Sequence, residues 1–337
     1  MSLAKTEYLD PPVTVNSDGK ERTVGYEFEF TGVEMEEAAN LLASLYGGAV
    51  HKQSAYQYNV TDTELGTFKL EIDARLLRDK TYESKLRQIG IEFDSLKKKE
   101  SIEETLMEIA SSVVPFEIIT PPIPLSSMHR LDELVNELRQ KKAKGTGSSV
   151  LYAFGLHLNP EVPAGSPESI LHHLQAYCLL DPWIREDAEI DISRSLTPYI
   201  NEYKADYLKH IFSPDYNPSL DTLIRDYMTF GNSRNRPLDL LPLFMHLDEK
   251  LTQSMIDDKL TSARPTYHYR LPNCSIEDPE WKLASEWNRW VRVEEFAALP
   301  DELSRYCKAW LTLKRDTVVG FERKWIELMN RRLHAGD

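Results

Sequence analysis

Thr-Val-Gly-Tyr-Glu-Phe-Glu-Phe-Thr-Gly-Val, residues 23–33, is the stretch whose alternation decides the fold. Read as a strand, it puts Tyr26, Phe28 and Phe30 on one face and Glu27 and Glu29 on the other. The two carboxylates then stand about 7 Å apart, because side-chain direction repeats every second residue. Carboxylates held side by side on a rigid strand repel each other unless something positive sits between them. Taken alone, a half-exposed edge strand with solvated glutamates explains the pattern as well as a site does. Recurrence of the pattern shifts the balance.

Four more stretches alternate in the same way. Thr67–Asp73 forms the second arm of a hairpin with Tyr56–Val60 around Thr-Asp-Thr-Glu-Leu-Gly, with Phe68, Leu70 and Ile72 on its apolar face and Lys69, Glu71 and Asp73 opposite. Val-Val-Pro-Phe-Glu-Ile-Ile-Thr-Pro-Pro (113–122) is a short apolar strand with Glu117 as its single charge, stopped by Pro121-Pro122, which cannot continue a ladder. Between Val150 and Pro160, Tyr152, Phe154, Leu156 and Leu158 share one face, and Gly155, His157 and Asn159 the other. In Arg-Pro-Thr-Tyr-His-Tyr-Arg-Leu-Pro-Asn-Cys (264–274), Tyr267, Tyr269 and Leu271 oppose His268 and Arg270.

Between the strands the period changes to that of helices. Met35–Tyr46 has helical spacing and stops at Gly47-Gly48. Ser101 with Glu104 makes a capping box for a helix to about Ser112, and a further helix runs from about Ser127 to Lys142. Residues 166–260 read as a helical insertion, with Ser166-Pro167 and Asn217-Pro218 as cap-then-proline openings. Pro279 to His334 is helical and broken near Pro300. The expected organisation is a loose arm over 1–20, a catalytic domain over 21–295 that contains the insertion, and a C-terminal helical segment over 296–337.

If the strands join one curved sheet, helices cover the apolar face. The other face collects Glu27, Glu29, Lys69, Glu71, Asp73, Glu117, His157, Asn159, His268 and Arg270. Several carboxylates so close cannot all stay ionised in an empty cleft. Hard divalent cations resolve this, and Mg²⁺ typically bridges to substrate phosphates. Several Mg²⁺ with an Arg is the equipment of phosphoryl transfer. Each residue also has a plain structural account: Glu117 as a buried charge paired with an Arg, His157 as a satisfied structural histidine, Asn159 as a turn former before Pro160, Lys69 as a solvated neighbour of Glu71. P-loop, nucleophile-elbow, zincin and Rossmann motifs are absent from the sequence.

Composition narrows the partners. A net charge of −14 argues against a nucleic-acid backbone, and no apolar run approaches the ~20 residues of a membrane span. Three widely spaced cysteines (Cys178, Cys274, Cys307) give neither a disulfide framework nor a zinc spacing, so a cytoplasmic setting is expected.

In order, Gly-Tyr-Glu-Phe-Glu-Phe, the acidic turn Tyr58-Asn-Val-Thr-Asp62, Glu-Ile-Ile-Thr-Pro-Pro, Gly-Leu-His-Leu-Asn-Pro and Tyr-Arg-Leu-Pro-Asn resemble the amidoligases, carboxylate–amine ligases related to glutamine synthetase and glutamate–cysteine ligase. The resemblance implies an α+β fold with a curved, mostly antiparallel sheet, ATP and Mg²⁺ as cofactors, and an amide formed from a small-molecule or peptide carboxylate and an amine through an acyl phosphate. It implies Glu27, Glu29 and Glu117 as metal ligands, joined by Glu71 and by His268 as a softer ligand that binds Mg²⁺ poorly, with Glu71 or Asp73 supplying the missing oxygen and Asp73 contacting metal or amine. His157, Arg270, Asn159 and Lys69 fall to the nucleotide, with Arg270, Glu117 and Asp73 nearest the chemistry. The chain departs from the family pattern twice. Asn159 stands where the second histidine of Gly-x-His-x-His is expected, and His268 where a metal-ligating Glu precedes the late-strand Arg. A phosphotransferase acting on an amine or guanidine, and a non-catalytic nucleotide-binding relative, are the rival readings.

Overall fold

The computed structural model describes residues 7–54, 56–72, 116–146, 154–190, 201–230, 235–256, 261–317 and 319–334. Asp73, Tyr152 and the capping-box helix expected at 101–112 lie outside the described residues.

The expected central strand is β1, Thr23–Phe30. Around it stand β2 (Ala49–Ser54), β3 (Gln57–Thr63), β4 (Gly66–Ile72), β5 (Phe116–Ile119), β6 (Ile123–Pro124), β7 (Leu156–Pro160), β8 (Leu238–Asp239) and β9 (His268–Tyr269). Among the described residues they make one nine-stranded open sheet in the order β2-β3-β4-β5-β1-β7-β9-β8, with β6 also pairing with β1. Every pairing is antiparallel.

Alternation places the side chains as the period demands. Val24, Tyr26, Phe28 and Phe30 are fully buried, as are Phe68, Leu70, Ile118, Leu156, Leu158, Tyr267 and Tyr269. Helices cover this face. Tyr46 of α1 (Met35–Tyr46) stacks on Phe68 at 5.4 Å between ring centroids. The helix α2 (Leu131–Gln140) buries Leu131, Leu134, Val135 and Leu138 in the same core. Tyr177 of α3 (Pro167–Asp187) meets Tyr269 edge-on at 5.7 Å. The core holds further helices at Ala205–Ile211 (α4), Leu220–Thr229 (α5), Leu241–Leu247 (α6) and Glu249–Met255 (α7). Trp290 of α8 (Leu283–Ala297) packs on Tyr267 and Tyr269 at 5.3 and 5.4 Å, and α9 (Pro300–Asp316) and α10 (Phe321–His334) follow, the first break falling at the expected Pro300.

Local chemistry explains the boundaries. Gly47 and Gly48 both adopt positive φ between α1 and β2, and a Cβ on Gly48 would lie 2.2 Å from Thr61 O, so the glycine is required there. Pro121 and Pro122 interrupt the strand opposite β1, where Glu27 faces Ile119 but Val24 faces Ile123, so one extra residue is accommodated. Thr120 bridges the gap: Tyr26 N–H donates to Thr120 Oγ1 and Thr120 N–H to Tyr26 O, both at 2.9 Å.

One strand went unread, and four expectations need correction. Strand β2, exposed along nearly its whole length, has too little apolar patterning to be read. The hairpin strands run on to Thr63 and resume at Gly66, so the turn is shorter than the six-residue loop anticipated. The helix after Pro124 begins as a 3₁₀ segment at Leu125–Arg130, and the helix expected at Asn217-Pro218 starts at Leu220, capped by Ser219, whose hydroxyl accepts from Thr222 N–H at 3.2 Å. The N-terminal stretch is no loose arm from residue 7 onward. Trp287 Nε1 donates to Leu9 O at 2.8 Å, Asn288 Nδ2 to Glu7 O at 2.8 Å, and Tyr8 OH to Asp132 Oδ1 at 2.7 Å. No helix among the described residues is long and apolar enough to cross a membrane.

Candidate functional site

The polar face of the sheet carries two rows of side chains, fixed by register. In the first, Glu71 faces Glu117 across β4 and β5, and Glu117 faces Glu29 across β5 and β1. Directly opposed residues have Cβ atoms about 4.5–5.5 Å apart, so the row brings three carboxylates close together. Glu117 is 8% exposed, while Glu71 and Glu29 are half-buried. Gly155 N–H donates to Glu29 Oε2 at 2.7 Å.

The second row runs from Lys69 through Ile119 and Glu27 to His157. Glu27 is its centre, and its two oxygens are used differently. Asn159 Nδ2 donates to Oε1 at 3.0 Å and Arg264 Nη1 to the same oxygen at 3.2 Å. His157 Nδ1 lies 2.9 Å and His268 Nε2 3.8 Å from Oε2. The two imidazoles meet edge-on at 5.2 Å.

Burial alone would push the Glu27 carboxyl up, but the hydrogen bond with His157 and the electrostatic pull of the two imidazoles overcome it and hold the group well below the usual carboxylate range. Burial lowers the His157 imidazole, opposed by Glu29 and Glu27 and reinforced by the Arg270 guanidinium. Glu27 is thus an anion beside a histidine that resists protonation.

Over these rows lies a cleft of about 730 Å³ lined by Glu27, Lys69, Glu71, Glu117, Asn159, Arg264 and His268, with Thr120, Pro121 and Pro122 at one wall. The residues expected together on this face divide: Glu27, Lys69, Glu71, Glu117, Asn159 and His268 line the cleft, Glu29, His157 and Arg270 do not, and Asp73 lies outside the described residues. His157 is 3% and Arg270 5% exposed, His157 lying between Glu27, Glu29 and the His268 ring. The strand expected over 264–274 pairs as a ladder only at His268–Tyr269, yet its alternation holds.

Three contributors escaped the sequence reading. Arg264 has the same parity as Thr266, His268 and Arg270, a signal hidden by Pro265. Glu161 continues the parity of His157 and Asn159 beyond Pro160 and also lines the cleft. Asp239 belongs to the two-residue strand β8, too short to show a period, and its Oδ2 stands 3.5 Å from His268 Nδ1.

The site contains buried polar atoms with no hydrogen-bond partner among the described residues: both ring nitrogens of His268, Asn159 Oδ1, Arg264 Nε and Thr266 Oγ1. Buried polar groups normally find partners, so such a concentration marks a place meant to be filled. Glu27, His157 and His268 each offer one ligand atom, all within 4.8 Å of one another, a set that fits a metal ion.

A family model described as "Putative amidoligase enzyme" matches residues 20–292. No curated protein and no solved structure matches the chain. With most of its 337 residues inside that match, the chain belongs to this amidoligase family.

Proposed function

We propose that the protein is an ATP- and Mg²⁺-dependent ligase that joins a carboxylate to an amine through an acyl phosphate. Family membership supports a ligase activity. The observation that carries the finer reading is the cross-strand row Glu71–Glu117–Glu29 running beside Glu27 on one face of the sheet. Such a row calls for hard cations, and Mg²⁺ bound there would supply charge neutralisation for phosphate oxygens.

The chain's own residues do the rest. Glu71, Glu117 and Glu27, which line the cleft, would hold the cations, with Glu29 opposite Glu117 in the same row. Lys69, exposed, and Arg264, half-exposed, supply positive charge to an anionic substrate from opposite walls. Arg270, one residue beyond β9 and buried outside the cleft lining, acts through its charge on His157, so the contacts to the transferring phosphoryl group fall to Lys69 and Arg264. In the reaction a carboxylate oxygen takes the γ-phosphoryl group and ADP leaves. The amine nitrogen then bonds the acyl carbon, the carbon–oxygen bond to phosphate breaks, and the amine proton passes to a carboxylate of the row or to water.

Hydroxylamine, a small reactive amine, tests the scheme across a panel of carboxylic acids with Mg²⁺-ATP. The expected result is a hydroxamate plus ADP and phosphate, with ¹⁸O from the labelled acid appearing in the phosphate. A stable phosphorylated amine instead would overturn the ligase reading in favour of a phosphotransferase.

A further inference from the structure

We propose that Glu27, His157 and His268 form a mixed nitrogen–oxygen subsite that takes a borderline first-row cation of the zinc(II) or cobalt(II) type in preference to Mg²⁺. The inference deepens the ligase reading, on which it rests for the subsite's place beside the phosphates.

The donor set is the first argument. Two imidazoles and one carboxylate suit zinc, cobalt or iron, whereas Mg²⁺ demands near-octahedral oxygen. The carboxylate row Glu71–Glu117–Glu29 offers oxygen only, so one face holds two chemically different regions.

Spacing is the second. Ligands each about 2.0–2.1 Å from a shared ion stand roughly 3.0–3.4 Å apart. His157 Nδ1 and His268 Nε2 lie 2.9 and 3.8 Å from Glu27 Oε2, which bracket that range.

What stands behind each imidazole is the third. His157 turns its other nitrogen, Nε2, to Glu29 Oε1 at 3.6 Å, and His268 turns Nδ1 to Asp239 Oδ2 at 3.5 Å. Both carboxylates are anchored: Glu29 by Gly155 N–H at 2.7 Å, and Asp239 by Leu241 N–H donating to Oδ1 at 2.9 Å. A carboxylate behind a ligating histidine fixes its tautomer and orientation, the usual outer partner in metal sites. Meanwhile Asn159 and Arg264 occupy Glu27 Oε1, leaving Oε2 aimed at the imidazoles.

A metal-free alternative, a Glu27–His157 hydrogen bond and nothing more, leaves His268 at 7% exposure with neither ring nitrogen hydrogen-bonded among the described residues. Leaving such groups unmet is costly.

The test uses the full chain, stripped with a chelator, titrated calorimetrically with Zn²⁺, Co²⁺ and Mg²⁺ without nucleotide, with the Co²⁺ absorption spectrum recorded in parallel. One equivalent of Zn²⁺ or Co²⁺ should bind at least 100-fold tighter than Mg²⁺. His268→Glu should narrow that preference at least tenfold, and His268→Ala should remove the Co²⁺ absorption. Asp239→Asn, which leaves all three ligands in place, should weaken Co²⁺ about tenfold and serves if a His268 variant fails to fold. Equal Zn²⁺ and Mg²⁺ affinities, or Co²⁺ binding unchanged in both His268→Ala and Asp239→Asn, would overturn the inference. Hydroxamate formation with no such binding would sink the subsite and leave the ligase standing. Tight Co²⁺ binding without hydroxamate would do the reverse.

Discussion

Strand β1 buries charge in opposite ways just before its first residue and at its middle. Arg22 is fully buried, and both its terminal nitrogens donate to Glu294 of α8 at 2.7 Å. Arg22 also donates to Val13 O and Glu161 O, and Trp290 Nε1 donates to Glu294 Oε1 at 2.7 Å. Five residues further along, Glu27 is nearly as buried, but it sits among unpartnered imidazole, amide and guanidinium atoms and opens on a cleft. A buried charge whose donors all find acceptors fastens the helical layer to the sheet. One surrounded by unmet atoms is prepared for a ligand.

The sharpest way to break this contrast is the same isosteric change in the carboxylate of each cluster, Glu294 and Glu27. Every group reaching Glu294 is a donor, so a glutamine there must turn its NH₂ toward one of them. Glu294→Gln should lose about 3–5 kcal/mol in denaturant unfolding, as breaking a buried pair does. Glu27→Gln can keep its oxygen toward Asn159 and Arg264 and its NH₂ toward the imidazoles, which accept after a tautomer change. It should lose only about 1–2 kcal/mol.

Smaller effects refine the picture. Asp239→Asn should lower cation affinity about tenfold while barely moving the melting curve, since outer partners act at that scale or above. Arg264→Ala should act in the other direction. Removing a half-exposed cation that competes for Glu27 should raise cation affinity about two- to fivefold, in keeping with the small worth of screened pairs. Weakened cation binding in Arg264→Ala would show that the guanidinium supports the site.

pH gives the gentlest test. His157 titrates below its ordinary 6.5 in the folded chain, so the unfolded chain takes up that proton first. Stability is therefore full above about 6.5 and falls as pH drops through and below it. Glu27, held below 4.5, adds a second loss in the same direction at lower pH. Unfolding midpoints from pH 8 to 4 should decline, and His157→Gln should flatten the upper part of that curve. A midpoint that rises on acidification would contradict both assignments.

Much of this was legible because the period-two signal is strong wherever one face is buried. Strands β1, β4, β5 and β7 each declare which side holds Phe, Leu or Ile and which holds the acid, histidine or amide. Pairing was less legible, because register joins Glu71 to Glu117 and Glu29 through contacts distant in sequence. Short edges were not legible at all: two-residue β8 has no period, yet it brings Asp239 to His268. The burial of His157 and Arg270 depends on side chains from neighbouring strands packing beside them, which alternation along one strand does not encode.

The most direct test of the central claim compares Glu27→Gln with Glu294→Gln, each unfolded with and without a saturating divalent cation. The expected outcome is a double dissociation. Glu294→Gln should lose most of its metal-free stability and keep the cation-induced rise in midpoint, while Glu27→Gln should keep most of its metal-free stability and lose that rise. Equal metal-free losses in the two variants, with the cation effect intact in Glu27→Gln, would make Glu27 another structural charge and contradict the account.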